Sequence, residues 1–467
     1  MRQLAGRIAS TIVARRGAFA AALFCAVMLL SALAASFIAA PQPVVAQAPS
    51  GSIEKHLGVA SCAGSTCHGR TLGDGTPVRQ DELQMWQEES SPTGAHYRAY
   101  RVLFEPRGKD ITRRLGLDDD GLARDCLGCH ADPASPRLSE AVGCESCHGA
   151  ASGWLASHYT VGATHARNVA QGMVDLPDPA VRANVCLDCH FGGTAKGQFV
   201  DHRIMAAGHP RVSFELDLFS TLQQHHDIDD DYVQRKGRPN SLKTWAVGQA
   251  EALERSLDLF GKPALANAGL FPEFYFFDCH SCHRRIYDGE DARPTKVNNP
   301  GRPLPIGYPP YNDENMIMLA AAVKVLAPEM AGEYEAATRR FHTAMAQGRG
   351  PSAEAAANLR GVARNLSRRF AGASFTPAQG FAMLDAIASA EVARRYTDYE
   401  GAVQSVMALD TLLSGLVRQG AVSPAAASGL RGEINAAYAA VREPNAFDPL
   451  AFRRALTNSV SAIRTLR

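Results

Sequence analysis

The sequence predicts a mainly α chain in two parts: an N-terminal half rich in loops with little regular sheet, followed by a C-terminal α-helical bundle. Three observations carry this expectation. Ten of the 11 cysteines fall between Cys62 and Cys282, in five tight clusters. Residues 293–313 hold Pro294, Pro300, Pro303, Pro305, Pro309 and Pro310, which reads as an extended linker or a strap. Beyond it there is no cysteine, and apolar residues recur at helical spacing behind helix-start signals.

The 467 residues are 46% hydrophobic, enough for two domains with cores, which excludes disorder. With 48 Lys+Arg against 47 Asp+Glu the net charge is +1, which excludes a nucleic-acid or anionic-membrane binder driven by bulk charge. The 40 Arg and 8 Lys, beside abundant Ala, read as a composition bias and not as a function.

Residues 1–48 read as an export segment. Arg2, Arg7, Arg15 and Arg16 form a basic flank, and Gly17 to Ala40 carries no charge. Ala46-Gln47-Ala48 has the small-x-small pattern of a cleavage site, which would start the mature chain at Pro49. The uncharged run also reaches the roughly 20 residues that span a bilayer, so a cleaved signal and an uncleaved anchor both stand. Either puts the remainder outside the cytoplasm, periplasmic and soluble or tethered to the cytoplasmic membrane. Arg15-Arg16 makes a poor twin-arginine motif, because Phe19 comes one place late.

The clusters are Cys62-Ala-Gly-Ser-Thr-Cys67-His68, Cys126-Leu-Gly-Cys129-His130, Cys144-Glu-Ser-Cys147-His148, Cys186-Leu-Asp-Cys189-His190 and Cys279-His-Ser-Cys282-His283. A histidine follows every pair, and with 15 His in the chain chance does not place five of them so. Two thiols on one turn can form thioethers with the two vinyl groups of a haem while the adjacent imidazole faces the iron. Zinc ribbons need no His after each second Cys, and five short Cys-x-x-Cys disulfide loops would staple almost nothing together. The reading is five covalently attached haem c groups over residues 49–292, the first on a widened motif. Haem attachment outside the cytoplasmic membrane agrees with the export segment. From Cys62 to His283 is 222 residues, too few for a domain per porphyrin, so the haems share one core.

An iron with imidazoles on both sides exchanges only electrons, whereas an open one binds a small molecule. Ten histidines remain for the distal side. His96, after Trp86, and His158, after Trp154, suit that role. His202 and His209 lie seven apart, on one face if helical, with Pro210 ending the helix. His56 is a secondary candidate. His225 and His226 lie in what reads as a solvated acidic loop, His280 sits inside a motif, and His165 and His342 read as non-ligands. Met205 reads as packing rather than a thioether ligand.

These residues resemble the cytochrome c-554 family of multihaem cytochromes. The resemblance runs from Cys62 to His190 through the first motif, Trp86, Ala95-His96, Asp125-Cys-Leu-Gly-Cys-His130, Gly143-Cys-Glu-Ser-Cys-His-Gly149, His158 and the Cys186 motif. It implies distal roles for His96 and His158, and an open face at the iron of His130. The widened first motif, the fifth motif and the long C-terminal region depart from the family pattern.

After the 293–313 linker, six helices are expected near 313–347, 352–371, 376–396, 398–418, 423–442 and 448–466. Ser352, Thr376-Pro377, Ser423-Pro424 and Asp448-Pro449 are the start signals. Met407, Leu409, Leu412, Leu413 and Leu416 read as the core of a bundle over 314–467. The leading functional expectation is a multihaem cytochrome c that passes electrons between periplasmic or membrane-bound redox proteins, with no nucleic-acid partner. The alternatives are a redox enzyme acting on a small inorganic nitrogen or sulfur compound at one open haem, and a helical half that acts as a docking module.

Overall fold

The computed structural model describes residues 54–71, 80–211, 213–266, 273–283, 299–305 and 307–467. The expected export segment, residues 1–48, lies outside these, as do residues 293–298 and 306 of the Pro-rich stretch. Among the described residues no helix is long and apolar enough to cross a membrane.

The expected mainly α fold with little regular sheet is what the structure has. The β pairing among the described residues is one isolated antiparallel bridge, Phe277 to Tyr311. Between residues 80 and 222 the helices are short, and several are started by a capping side chain. They include α1 (Ala151–His158), α2 (Pro179–His190), α3 (His202–Ala206) and α4 (Leu216–Leu222). Asp178 accepts hydrogen bonds from Ala180 N and Val181 N with Pro179 at the first position of α2, and Asp201 accepts from Ile204 N to start α3.

The main core lies further along the chain. It joins α5 (Ser241–Gly261), the segment Tyr275–Phe277, α6 (Glu314–Leu326), α7 (Ala331–Met345), α8 (Arg349–Ala371), α9 (Pro377–Ile387), α10 (Tyr399–Arg418), α11 (Arg431–Ala440) and α12 (Pro449–Arg464). α5 is buried on nearly every side, with Trp245, Val247 and Ala250 at 0% exposure. Glu54–Arg467 form one compact unit.

Three of the start signals act as expected. Thr376 and Gln379 form a reciprocal capping box, Ser423 accepts from Ala426 N, and Asp448 accepts from Leu450 N and Ala451 N. Ser352 does not act as a cap. α8 begins three residues earlier at Arg349, and the Ser352 hydroxyl donates back to Gly348 O and Arg349 O inside the helix. The expected single helix 313–347 is two: Pro328 forces Ala327 out of helical geometry (φ −149°, ψ 58°), so α6 ends at Leu326 and α7 starts at Ala331. The expected 376–396 and 423–442 helices also divide, at Ser389, which caps Ala390–Ala393, and at Leu430, after Gly429.

Candidate haem centres

Each motif folds into a single turn that sets its histidine beside its cysteines. His130 N–H donates to Cys126 O (3.2 Å) and His283 N–H to Cys279 O (2.8 Å). The widened first motif closes to the same bond, His68 N–H to Cys62 O at 3.1 Å, so its two extra residues are absorbed in the loop. Among the described residues no disulfide joins any of the ten motif cysteines.

Each motif histidine faces one other imidazole. His68 lies opposite His158, ring centroids 6.0 Å apart with planes at 14°. His130 faces His209 (6.2 Å, 89°), His148 faces His225 (6.3 Å, 89°), His190 faces His96 (6.2 Å, 74°) and His283 faces His202 (6.1 Å, 30°). Metal–imidazole bonds of about 2 Å on either side of one ion, plus the half-width of each ring, also add to about 6 Å. The spacing therefore fits one iron between each pair.

The outer nitrogens support the same fit. Nδ1 meets an acceptor in His68 (Glu82 Oε2, 3.0 Å), His96 (Gln223 Oε1, 2.8 Å), His130 (Ala99 O, 2.7 Å), His209 (Pro210 O, 2.8 Å) and His225 (Gln223 O, 2.9 Å). An acceptor there requires Nδ1–H, which leaves the lone pair on Nε2, the usual arrangement behind a metal-ligating histidine. Burial keeps His96, His130, His158 and His209 below the ordinary histidine range, pushes His190 down to about 4 and His148 down to about 3. Neutral imidazole is the form that binds metal. His68 is the exception, raised by its bond to Glu82.

The other sequence candidates lie elsewhere. His56 gives Nδ1 to Asp132 (2.6 Å). His165 pairs through Nε2 with Asp175 (2.8 Å), His280 packs on Phe447, and His342 is buried in the bundle. Met205 packs against the main core. His225 was not among the sequence candidates, although it faces His148. Gln223 was missed as well. Its side chain holds His96, its carbonyl holds His225, and its amide donates to Pro92 O.

The five motifs are linked in a definite order. The sulfur of Cys62 in the first motif lies within hydrogen-bond reach of that of Cys144 in the third. Cys147 of the third neighbours Cys186 and Cys189 of the fourth. Cys189 meets Cys129 of the second, whose thiol also reaches Gly197 O (3.5 Å). Gly128 permits this approach, since a Cβ there would lie 2.4 Å from Lys196 O. His202 at the start of α3 and His209 just beyond its end then link the fifth centre to the second. The order in space is first, third, fourth, second, fifth.

Residues 61–149 match the family described as cytochrome c554 and c-prime. Comparisons with curated proteins and with solved structures gave no match.

Proposed function

We propose that this chain, whose residues 61–149 match the cytochrome c554 and c-prime family, a match that supports a c-type cytochrome with covalent haem and an electron-transfer role, is a five-haem electron carrier. Haem supplies reversible one-electron chemistry at iron. The thioether positions are Cys62 and Cys67, Cys126 and Cys129, Cys144 and Cys147, Cys186 and Cys189, Cys279 and Cys282. The proximal imidazoles are His68, His130, His148, His190 and His283, and the distal ones are His158, His209, His225, His96 and His202 in the same order.

One observation carries the reading: five imidazole pairs with ring centroids 6.0–6.3 Å apart, each opposing a motif histidine. Ligands on both faces saturate an iron and leave it electron exchange alone. The ordered contacts between motifs favour a relay, with the fifth centre at one end and the first at the other. A catalyst acting at an open iron of His130 loses its ground, because His209 lies over that position. Export to the periplasm, with the chain soluble or tethered, follows from the basic and apolar 1–48 segment, and the partners are periplasmic or membrane-bound redox proteins.

Carbon monoxide tests the reading on the dithionite-reduced, haem-loaded protein. The expected result is five haems per chain by mass and no change of the Soret band under carbon monoxide. A carbon monoxide adduct at any haem would sink the carrier assignment, and a mass of four haems would sink the count.

A further inference from the structure

The structure assigns a calcium-binding site to Asp278, Asp398 and Glu400, at the seam between the fifth cysteine motif and the first turn of α10. Each of the three offers a carboxylate oxygen, and these oxygens lie within 4.8 Å of one another. Calcium takes six to eight oxygen ligands at about 2.3–2.6 Å, so donors this close can share one ion, whereas magnesium keeps several waters and is seldom held by an all-protein carboxylate cage. An all-carboxylate set is hard, which favours calcium over zinc or copper.

The donors are placed by backbone. Asp278 caps the turn of its motif, accepting from His280 N (2.9 Å) and Ser281 Oγ (2.9 Å). Asp398 caps α10 through Gly401 N (2.9 Å), and Glu400 stands in the first turn of that helix. A carboxylate oxygen has more than one lone-pair direction, so these bonds leave capacity for an ion.

With all five carboxylates ionised, the local charge does not balance without one. Asp313 and Glu314 are buried alongside, which makes five carboxylates. Arg302 bonds Asp278, Asp313 and Asp398, and Arg211 lies 3.7 Å from Glu314. Two guanidinium groups leave three negative charges over, and each uncompensated buried charge costs several kcal/mol.

A second observation points to a ligand. Glu400 is 4% exposed, yet its Oε2 has no hydrogen-bond partner. Its other neighbour is the Cys279 thiol, which ceases to be a donor once that sulfur is a thioether. Burial, with Asp278 next, pushes Glu400 well above the usual carboxylate range, the mark of a charge short of compensation. A divalent ion here would clamp the residue before Cys279 to the bundle, which holds the fifth motif in place.

The test uses full-length, haem-loaded protein stripped with a calcium chelator, then titrated separately with CaCl2 and MgCl2. Elemental content and the thermal unfolding midpoint are read. The expected result is one calcium per chain, a midpoint raised by several degrees, and little response to magnesium. Glu400→Gln should keep its haem absorbance and lose the calcium. Should that variant fail to fold, Asp398→Asn, which preserves the helix cap, takes its place with the same expectation. No stoichiometric calcium at millimolar CaCl2, calcium uptake undiminished in both variants, or an equal response to magnesium would each overturn the assignment. The first of these would mean that protons on the carboxyl groups carry the excess charge.

Discussion

His209 lies over His130 with ring centroids 6.2 Å apart and planes at 89°, while His158 lies over His68 at 6.0 Å with planes at 14°. The five pairs divide by this angle. The first and fifth are near parallel (14° and 30°), and the second, third and fourth are near perpendicular (74–89°). Parallel imidazoles leave low-spin ferric haem with a rhombic electron paramagnetic resonance spectrum, and perpendicular ones give a steeply anisotropic signal with a large principal g value. The ferric protein is expected to show two rhombic and three large-g haems, with no high-spin signal. A high-spin species in the intact protein would break the pairing scheme at one centre.

His209→Ala should open the iron of His130 and no other. One haem in five is expected to turn high-spin when ferric and to bind carbon monoxide when reduced. The other four should keep their spectra, since His209 faces His130 and the other four motif histidines face other imidazoles. If the variant remains wholly low-spin, His209 is not the ligand.

His225 and His226 are adjacent, yet the geometry separates them. His225 faces His148 and is held by Gln223 O, whereas His226 stacks on Tyr232. His225→Ala is therefore expected to produce a high-spin haem, with His226→Ala and His56→Gln both remaining low-spin. Equal effects from the adjacent pair, read in the same spectra, would remove the distinction.

The proximal half of each centre was legible in the sequence because one turn of backbone sets the spacing of Cys and His, and a local turn leaves a local signature. The distal half was legible only in part. His96 and His158 sit near an indole and within short helices, but His225 lies 77 positions after His148 in an acidic stretch that looks like solvent-facing loop. Gln223 ties its segment to His96 and Pro92 far back in the chain, and nothing local announces those bonds. The same contrast holds for the fold. Caps such as Thr376, Ser423 and Asp448 are written in two or three residues, and they start helices where expected. α5 passed unnoticed because it is buried on nearly all sides, which removes the one-sided apolar stripe that marks a surface helix.

Arg302 carries a heavy share of the cohesion between the strap and the bundle. It is 6% exposed, donates through Nε to Asp313 (2.7 Å), and also bonds Asp398 and Asp278. Even so, burial holds Asp398 up to about 8. Arg302→Met would leave buried carboxylates without their cation, at a cost of about 3–5 kcal/mol. The expected readout is a clear fall in the unfolding midpoint. By contrast Arg101→Ala, which breaks an exposed pair with Glu89, should shift it little. Similar small shifts in both would show that the buried network is not what holds the strap.

His342 should set part of the acid sensitivity. It is fully buried in α7, both ring nitrogens lack a hydrogen-bond partner, and burial pushes it down to about 4. Arg302 and Arg395 add to the depression, while Asp313, 3.9 Å away, opposes it. Because the folded value lies below the unfolded one of about 6.5, the unfolded chain takes up the proton first as pH falls. Stability is thus intact above about pH 6.5 and declines as the pH drops toward 4, by about 3 kcal/mol in all. His342→Leu keeps an apolar side chain in the cavity and removes the titration. Its unfolding midpoint should fall less steeply than that of the parent between pH 6.5 and 4, with a comparable value near pH 7.5. Parallel pH profiles for the two proteins would place the acid sensitivity in other groups.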